Sequence, residues 1–331
     1  MLKFLKFGSK ALAIASVSLI ATVSSAQDVS LKLASGYPDS SYLTQALVTF
    51  VDEVEATTEG KINITLHNNQ SLVRLQDVPN AVRSNQVAIG QVFTANLGNQ
   101  NAMFTLDAIP FLASDSNSAL RLWEAQKPYL DEWFARQNMR VLFPQFFPAQ
   151  GFYTENRVEV QADLADLNMR IYSNSTQRMA ELLGAQPLQI QFGEVPQAFA
   201  TGLVNAMFTS PQTGIDVQAW DFTSNYNLVG AMRTKLIVVI NEDEFQNLTE
   251  SQRAVLMDAS EKAMITGLKL SDTVTEAQLA TLEENGLSVS LASEAFKAEL
   301  ELIGEQMTAE WREGADEEQI AVLEAYLASK N

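Results

Sequence analysis

The stretch from Val29 to Leu66, VSLKLASGYPDSSYLTQALVTFVDEVEATTEGKINITL, decides how the chain folds. Val29, Leu31 and Leu33 alternate with polar residues, the two-residue period of a half-buried strand. From Tyr42 to Thr57 the apolar residues Leu43, Ala46, Leu47, Phe50, Val51 and Val54 recur instead at helical spacing. Gly60 punctuates the junction where a helix C-cap is expected, and Ile62 to Leu66 reads as a second strand. Leu75 to Arg83 reads as a further helix and Val87 to Val92 as a third short strand. Strand and helix alternate, which predicts an α/β fold with a mostly parallel sheet covered by helices.

The alternation resumes after Arg140: strand Val141 to Phe146, extended Gly151 to Thr154, strand Met169 to Tyr172, helix Thr176 to Leu183 closed by Gly184, and strand Leu188 to Gln191. Two α/β units are expected, joined near Pro148 to Gly151. Lys235 to Asn241 is a continuous apolar run of the kind buried on both faces of a sheet, and it is expected to return the chain to the first sheet. Thr249 and Gln252 form a capping box, and only Gly267 interrupts the residues from there to Glu284. A helix of roughly 35 residues, about 50 Å long, is longer than one domain needs and could run along both. Asn285 and Gly286 would end it, and Ser293 to Ala328 reads as amphipathic helices with acidic outer faces.

Lys3, Lys6 and Lys10 precede an apolar run from Ala11 to Val23, and Ser24, Ser25 and Ala26 suit a signal-peptidase cut before Gln27. The run, roughly 13 residues, is shorter than the about 20 that span a membrane. The expectation is export through residues 1–26 as a cleaved leader. The sequence holds no Cys, so neither a lipid anchor nor a disulfide is available and the fold must rest on its core. Roughly 300 residues do this most easily as two domains. The 22 Lys and Arg against 40 Asp and Glu make nucleic acid and anionic membrane poor partners. A buried arginine can still bind an anion, because remote surface charge is screened over about 8 Å.

Catalytic signatures are sparse. His67 is the only histidine and sits beside Asn68 and Asn69, as an exposed turn residue would; no G-x-S-x-G elbow accompanies it. One His and no Cys argue against zinc, and phosphate-cradling glycine motifs are absent. The carboxylate count alone leaves a glycosidase-like pair open. The visible clusters, Glu242-Asp243-Glu244 and Asp316-Glu317-Glu318, stand at expected helix starts, where the helix dipole favours acids.

The segments Pro148-Ala149-Gln150-Gly151-Phe152-Tyr153-Thr154 and Asp163-Leu164-Ala165-Asp166-Leu167-Asn168-Met169-Arg170-Ile171 are the most informative. They are followed by Leu183-Gly184-Ala185-Gln186-Pro187, Phe192-Gly193-Glu194-Val195 and Ala200-Thr201-Gly202-Leu203-Val204-Asn205-Ala206. In this order they resemble the periplasmic solute-binding proteins of tripartite ATP-independent periplasmic (TRAP) transporters. The likeness extends over the mature chain, through Ala108-Ile109-Pro110-Phe111-Leu112, Val239-Ile240-Asn241 and the long helix.

The resemblance implies a two-domain periplasmic binding protein with hinge strands and one long helix spanning both domains, closing over an organic acid. The first domain would comprise residues 27–150 with about 236–270, the second 151–235 with about 271–331. The family's carboxylate-gripping arginine falls at Arg170. Guanidinium chemistry suits that role, since its planar fork matches a carboxylate and stays charged in a dry cleft; the alternative is a surface pair with Asp163 or Asp166. Where some members carry a second arginine, this chain has Gln150 and Gly151, which points to a ligand with a single carboxylate. Thr209, next to Ser210, stands where the family has an asparagine. Tyr172 and Asn174 flank the arginine, Tyr37 follows the first strand, Phe192 is either a cleft aromatic or core, and Trp220 is either a wall of the site or ordinary packing. Some relatives hold a cation near the tryptophan, where Asp221 stands here, but no cofactor or metal is expected.

The function so implied is that of an extracytoplasmic, periplasmic receptor, not an enzyme, for a keto, hydroxy or aromatic monocarboxylate. It would act as a monomer and deliver its ligand to the small and large membrane subunits of a TRAP permease. The alternatives are a periplasmic hydrolase or isomerase using cleft carboxylates, and a sensory ligand-binding component.

Overall fold

The computed structural model describes residues 28–330; the expected leader lies outside the described residues. The chain opens with β1 (Val29–Ala34), α1 (Tyr42–Thr57), β2 (Ile62–His67), α2 (Val78–Arg83), β3 (Ile89–Phe93), α3 (Ser116–Ala135) and β4 (Met139–Phe146). It continues through β5 (Gly151–Thr154), β6 (Asn168–Ile171), α4 (Asn174–Leu182), β7 (Gln186–Gln189), α5 (Val195–Ala200), β8 (Ala206–Thr209), α6 (Pro211–Asp216) and β9 (Asn225–Leu228). Then follow β10 (Lys235–Asn241), α7 (Glu242–Asn247), α8 (Glu250–Glu284), β11 (Ser288–Leu291), α9 (Glu294–Gly314) and α10 (Glu317–Ala328).

Two sheets result, in the orders β2-β1-β3-β10-β4 and β11-β9-β5-β8-β6-β7. As expected the strands are mostly parallel, with one exception in each sheet: β10 is antiparallel to β3 and β4, and β5 to β8 and β9. Both exceptions are strands that the chain enters straight from the other sheet, β5 from β4 and β10 from β9. A connection of a few residues cannot turn the chain around, so the entering strand begins at the edge of the cleft where its neighbours end. The two connections lie side by side, Phe147 N donating to Thr234 O at 2.8 Å and Gly230 N to Gln150 O at 2.9 Å. Every residue of β10 is buried, which accounts for its unbroken apolar run.

Helix α1 lays Leu47, Phe50, Val51 and Val54 on the first sheet, in one core with Leu142, Phe143, Val238 and Ile240 and with Leu256, Ala259 and Ala263 of α8. The far end of α8 places Leu282 in a second core with Tyr153 and Tyr226 of the other sheet. The long helix therefore braces both units. Its start is the anticipated capping box, with Thr249 accepting from the Gln252 backbone. The C-terminal helices touch both units as well: α9 packs on α4 and α10 on α3.

Candidate functional site

Apart from the antiparallel β5 and β10, the strands of both sheets direct their carboxyl ends at the gap between the units, the usual location of ligands in open α/β sheets. The first unit contributes Tyr37 after β1, Phe93 at the end of β3, Asn96 in the turn Thr94–Leu97, and Phe147 after β4. The second contributes Arg170 and Tyr172 around the end of β6, Phe192 beyond β7, and Thr209 closing β8. These residues surround about 420 Å³ free of protein atoms, a space that includes open solvent at the mouth. The walls meet across the gap: the rings of Tyr37 and Phe192 are 5.2 Å apart and those of Phe93 and Tyr172 5.5 Å. The units are closed on one another.

Arg170 is 4% exposed. Its Nε donates to Ile190 O at 3.0 Å, and its guanidinium lies 5.3 Å from the centre of the Tyr172 ring. The remaining N–H groups find no carboxylate among the described residues. The other buried cations differ: Lys235 Nζ is 2.9 Å from Asp107 Oδ2, and Arg233 Nη1 is 2.9 Å from Asp272 Oδ1. Burial pulls the Arg170 pKa down to about 10, with Tyr172 and Tyr37 acting in the opposite sense. The group still carries its charge at neutral pH, desolvated and without a counterion.

Gln150, in the first crossing connection, holds the surroundings in place. Its Nε2 donates to Thr234 Oγ1 at 2.9 Å, and its Oε1 accepts from the Tyr172 hydroxyl at 2.7 Å. The pair Gln150–Thr234 ties the two connections together and fixes the ring beneath the guanidinium. Burial pushes the hydroxyls of Tyr172 and Tyr37 well above their ordinary pKa, so both remain neutral donors.

Of the residues singled out in the sequence, Tyr37, Gln150, Arg170, Tyr172, Phe192 and Thr209 meet at the cavity. Three stand elsewhere. Asn174 begins α4 and donates to Asn99 of the first unit at 2.6 Å. Ser210 is the N-cap of α6, its Oγ accepting from Thr213 N at 3.1 Å. Trp220 packs half-buried against the core that holds Tyr153 and Tyr226. Asp221 follows it, and no group of acids, histidine or cysteine able to hold a metal occurs among the described residues. The lining also includes Phe93, Asn96, Phe147, Thr213 and Thr234, which the motif segments did not reveal. All but Thr213 follow or end a strand or flank a crossing connection, a positional signal rather than a compositional one.

The architecture is that of a two-lobed α/β binding protein with a cavity at the hinge. Residues 33–316 match the family described as bacterial extracellular solute-binding protein, family 7. The chain belongs to this family, the solute-binding proteins of TRAP transporters, which are extracytoplasmic receptors. Among solved structures it is similar to DctP7 of Bordetella pertussis, an extracytoplasmic solute receptor binding pyroglutamic acid, at 38% identity and TM-score 0.87 over 90% of this chain and 99% of that one. DctP6 of the same organism, also binding pyroglutamic acid, is 31% identical with TM-score 0.88 over 91% and 100% of the two chains. A TRAP solute-binding protein from a marine metagenome, specific for pyroglutamate, is 30% identical with TM-score 0.87 over 91% and 99%.

Proposed function

We propose that the protein captures a small monocarboxylate with a neutral polar body, of the pyroglutamate type, in the cavity between its lobes and delivers it to the membrane subunits of a TRAP permease. The observation that carries this reading is the buried, unpaired guanidinium of Arg170: a carboxylate is the partner that offsets its desolvation, and the planar fork can take both oxygens. Arg170 is the one charged residue lining the cavity among the described residues. A second carboxylate on the ligand would have no cation to meet, and an ammonium group would have no anion. Gln150, Thr209 and Thr234 with Asn96 suit a neutral amide, keto or hydroxyl group, while Phe93, Phe147 and Phe192 suit an apolar ring. The lining offers neither carboxylate nor histidine as a general base, which favours a receptor over a hydrolase or isomerase.

A thermal-shift and calorimetric panel of pyroglutamate, glutamate, malonate and glucuronate tests this. Pyroglutamate at 100 times its dissociation constant should add about 2.7 kcal/mol of stability. Stabilisation by malonate or glucuronate with none by pyroglutamate would overturn the ligand class. Disappearance of ligand during long incubation would overturn the receptor role.

A further inference from the structure

Away from the cavity, two hydrogen bonds join the lobes where α4 begins. Asn174, its first residue, donates through Nδ2 to Asn99 Oδ1 at 2.6 Å, and Ser175 Oγ donates to Thr105 O at 3.2 Å. Asn99 and Thr105 belong to the first unit, Asn174 and Ser175 to the second. Both asparagines are exposed whereas Ser175 is 6% exposed, so the contact has a wet outer bond and a dry inner one. None of the four residues lines the cavity. Neither Asn174 nor Ser175 is spent on capping α4: that is done by Ser173, whose Oγ accepts from Thr176 N at 3.2 Å.

We propose that the pairs Asn99–Asn174 and Thr105–Ser175 form a clasp that favours the closed lobes with or without ligand and sets how long a ligand is retained. The statement on retention rests on the receptor reading above; the statement on closure does not. Chain continuity carries the argument. Asn174 stands two residues beyond Tyr172, and Asn99 three beyond Asn96, so each partner continues a segment that walls the cavity. Between those segments the Phe93 and Tyr172 rings meet across the gap at 5.5 Å. Both halves are anchored. On the first unit Thr94 Oγ1 donates to Lys235 O at 2.9 Å, at the start of β10. On the second, α4 is tied to α9, where Arg178 donates to the two Glu310 oxygens at 2.8 and 2.7 Å. Parting the cavity walls must therefore break both bonds. Because the clasp touches no ligand, its free energy enters binding only through the closed fraction, scaling the affinity for every acid by one factor and leaving their ranking unchanged. A contact made after encounter acts on release rather than on association.

The sequence holds no Cys, so Ser71→Cys and Gln197→Cys, exposed on opposite lobes, can carry spin labels that report their separation. Without ligand the wild type should show a closed population, and Asn174→Ala should lower its ratio to the open form roughly three- to tenfold, the effect of one net hydrogen bond. Ser175→Ala should lower it as well. Asn99→Ala should match Asn174→Ala, and combining the two should add little, since either one alone removes the bond. Asn99→Asp keeps an acceptor for Asn174 and should remain closed. Together with Asn174→Asp it sets two carboxylates face to face and should open the cleft further than alanine does, an effect that salt relieves. In stopped-flow measurements Asn174→Ala should release pyroglutamate faster by the same factor with association nearly unchanged. The ratio of affinities for pyroglutamate and its lactone analogue, 5-oxotetrahydrofuran-2-carboxylate, should stay at the wild-type value. A ligand-free wild type with no closed population, an Asn174→Ala or Ser175→Ala variant that closes like the wild type, or losses that add in the double alanine variant overturn the clasp. So does a changed affinity ratio, which would make Asn174 a ligand contact. Distances that respond as described in a protein that ignores pyroglutamate uphold the clasp and remove only the ligand assignment.

Discussion

The Arg170 guanidinium lies over the Tyr172 ring, 5.3 Å from its centre, and the same ring is anchored through its hydroxyl to Gln150 at 2.7 Å. Arg170 stands in β6 and Tyr172 just past its end, two residues on, and the two side chains meet on the same side. The cation is thus aimed by a ring that is itself held by the crossing connection, and substitutions along this line should read out in binding before they read out in folding.

Replacing Arg170 with Met should lower affinity for the carboxylate by about a hundredfold or more, in line with roughly 3 to 5 kcal/mol for a desolvated ion pair. The melting temperature of the free protein should stay level or rise, because the variant no longer buries an unpaired charge. Arg170→Lys should bind almost as poorly, since an ammonium cannot reproduce the bidentate fork. Calorimetry and thermal melts on the two variants separate these effects; unchanged affinity would remove Arg170 from the site.

Gln150→Leu should strand the Tyr172 hydroxyl and Thr234 Oγ1 together, at about 1 to 3 kcal/mol. We expect a binding loss of roughly tenfold with circular dichroism unchanged, and a smaller loss for Tyr172→Phe, which keeps the ring beneath the guanidinium.

Lys235 and Asp107 form a buried pair that Gln126 Oε1 completes, 2.8 Å from Lys235 Nζ. Lys235→Met leaves Asp107 alone and should destabilise by about 3 to 5 kcal/mol. The double variant with Asp107→Leu should recover most of that in urea unfolding. A double variant as unstable as the single one would show that packing, rather than stranded charge, accounts for the loss.

Gly151 opens β5, where a Cβ would stand 2.2 Å from Asn227 O on the neighbouring strand. The obstacle is backbone, so it cannot swing aside. Gly151→Ala should cost at least about 1 to 3 kcal/mol and broaden the unfolding transition of the second lobe. A variant that melts like the wild type would mean that β5 and β9 separate more easily than their pairing implies.

Stability should also follow the titration of Asp216. Its native pKa of about 7 lies above the ordinary 3.8, so between these values the folded state binds more protons than the unfolded one. Stability from this group is therefore present at low pH and lost as pH rises toward 7, with no further change beyond. Melts of the wild type should fall from pH 5 to pH 7.5 relative to Asp216→Asn, and parallel curves would contradict this.

Local patterns in the sequence were enough for most elements. The helical spacing from Tyr42 to Thr57, the run from Lys235 to Asn241 and the Thr249 capping box each correspond to an element of the structure, because periodicity and caps are properties of adjacent residues. Helix α3 escaped that reading: it carries Pro128 inside and follows an irregular segment, so its local signal is mixed. Strand β11 is short and only half-buried, and its place is set by pairing with β9.

The site divides in the same way. Arg170, Tyr172 and Gln150 could be picked out because the motif segments contain them, and their types suit an acid. That Arg170 lacks a carboxylate while Arg233 and Lys235 have one is invisible in the order of residues, since each partner is tens of residues away or more and only burial makes the difference matter. Phe93, Phe147 and Thr234 become wall residues because the chain crosses twice between two sheets, bringing strand ends together. By itself the sequence determined most of the strands and helices and supplied a side chain whose chemistry suits an anion. Which groups face each other across the cleft, and which of them are left without a partner there, was decided by packing, because desolvation and pairing depend on distance in space and not along the chain.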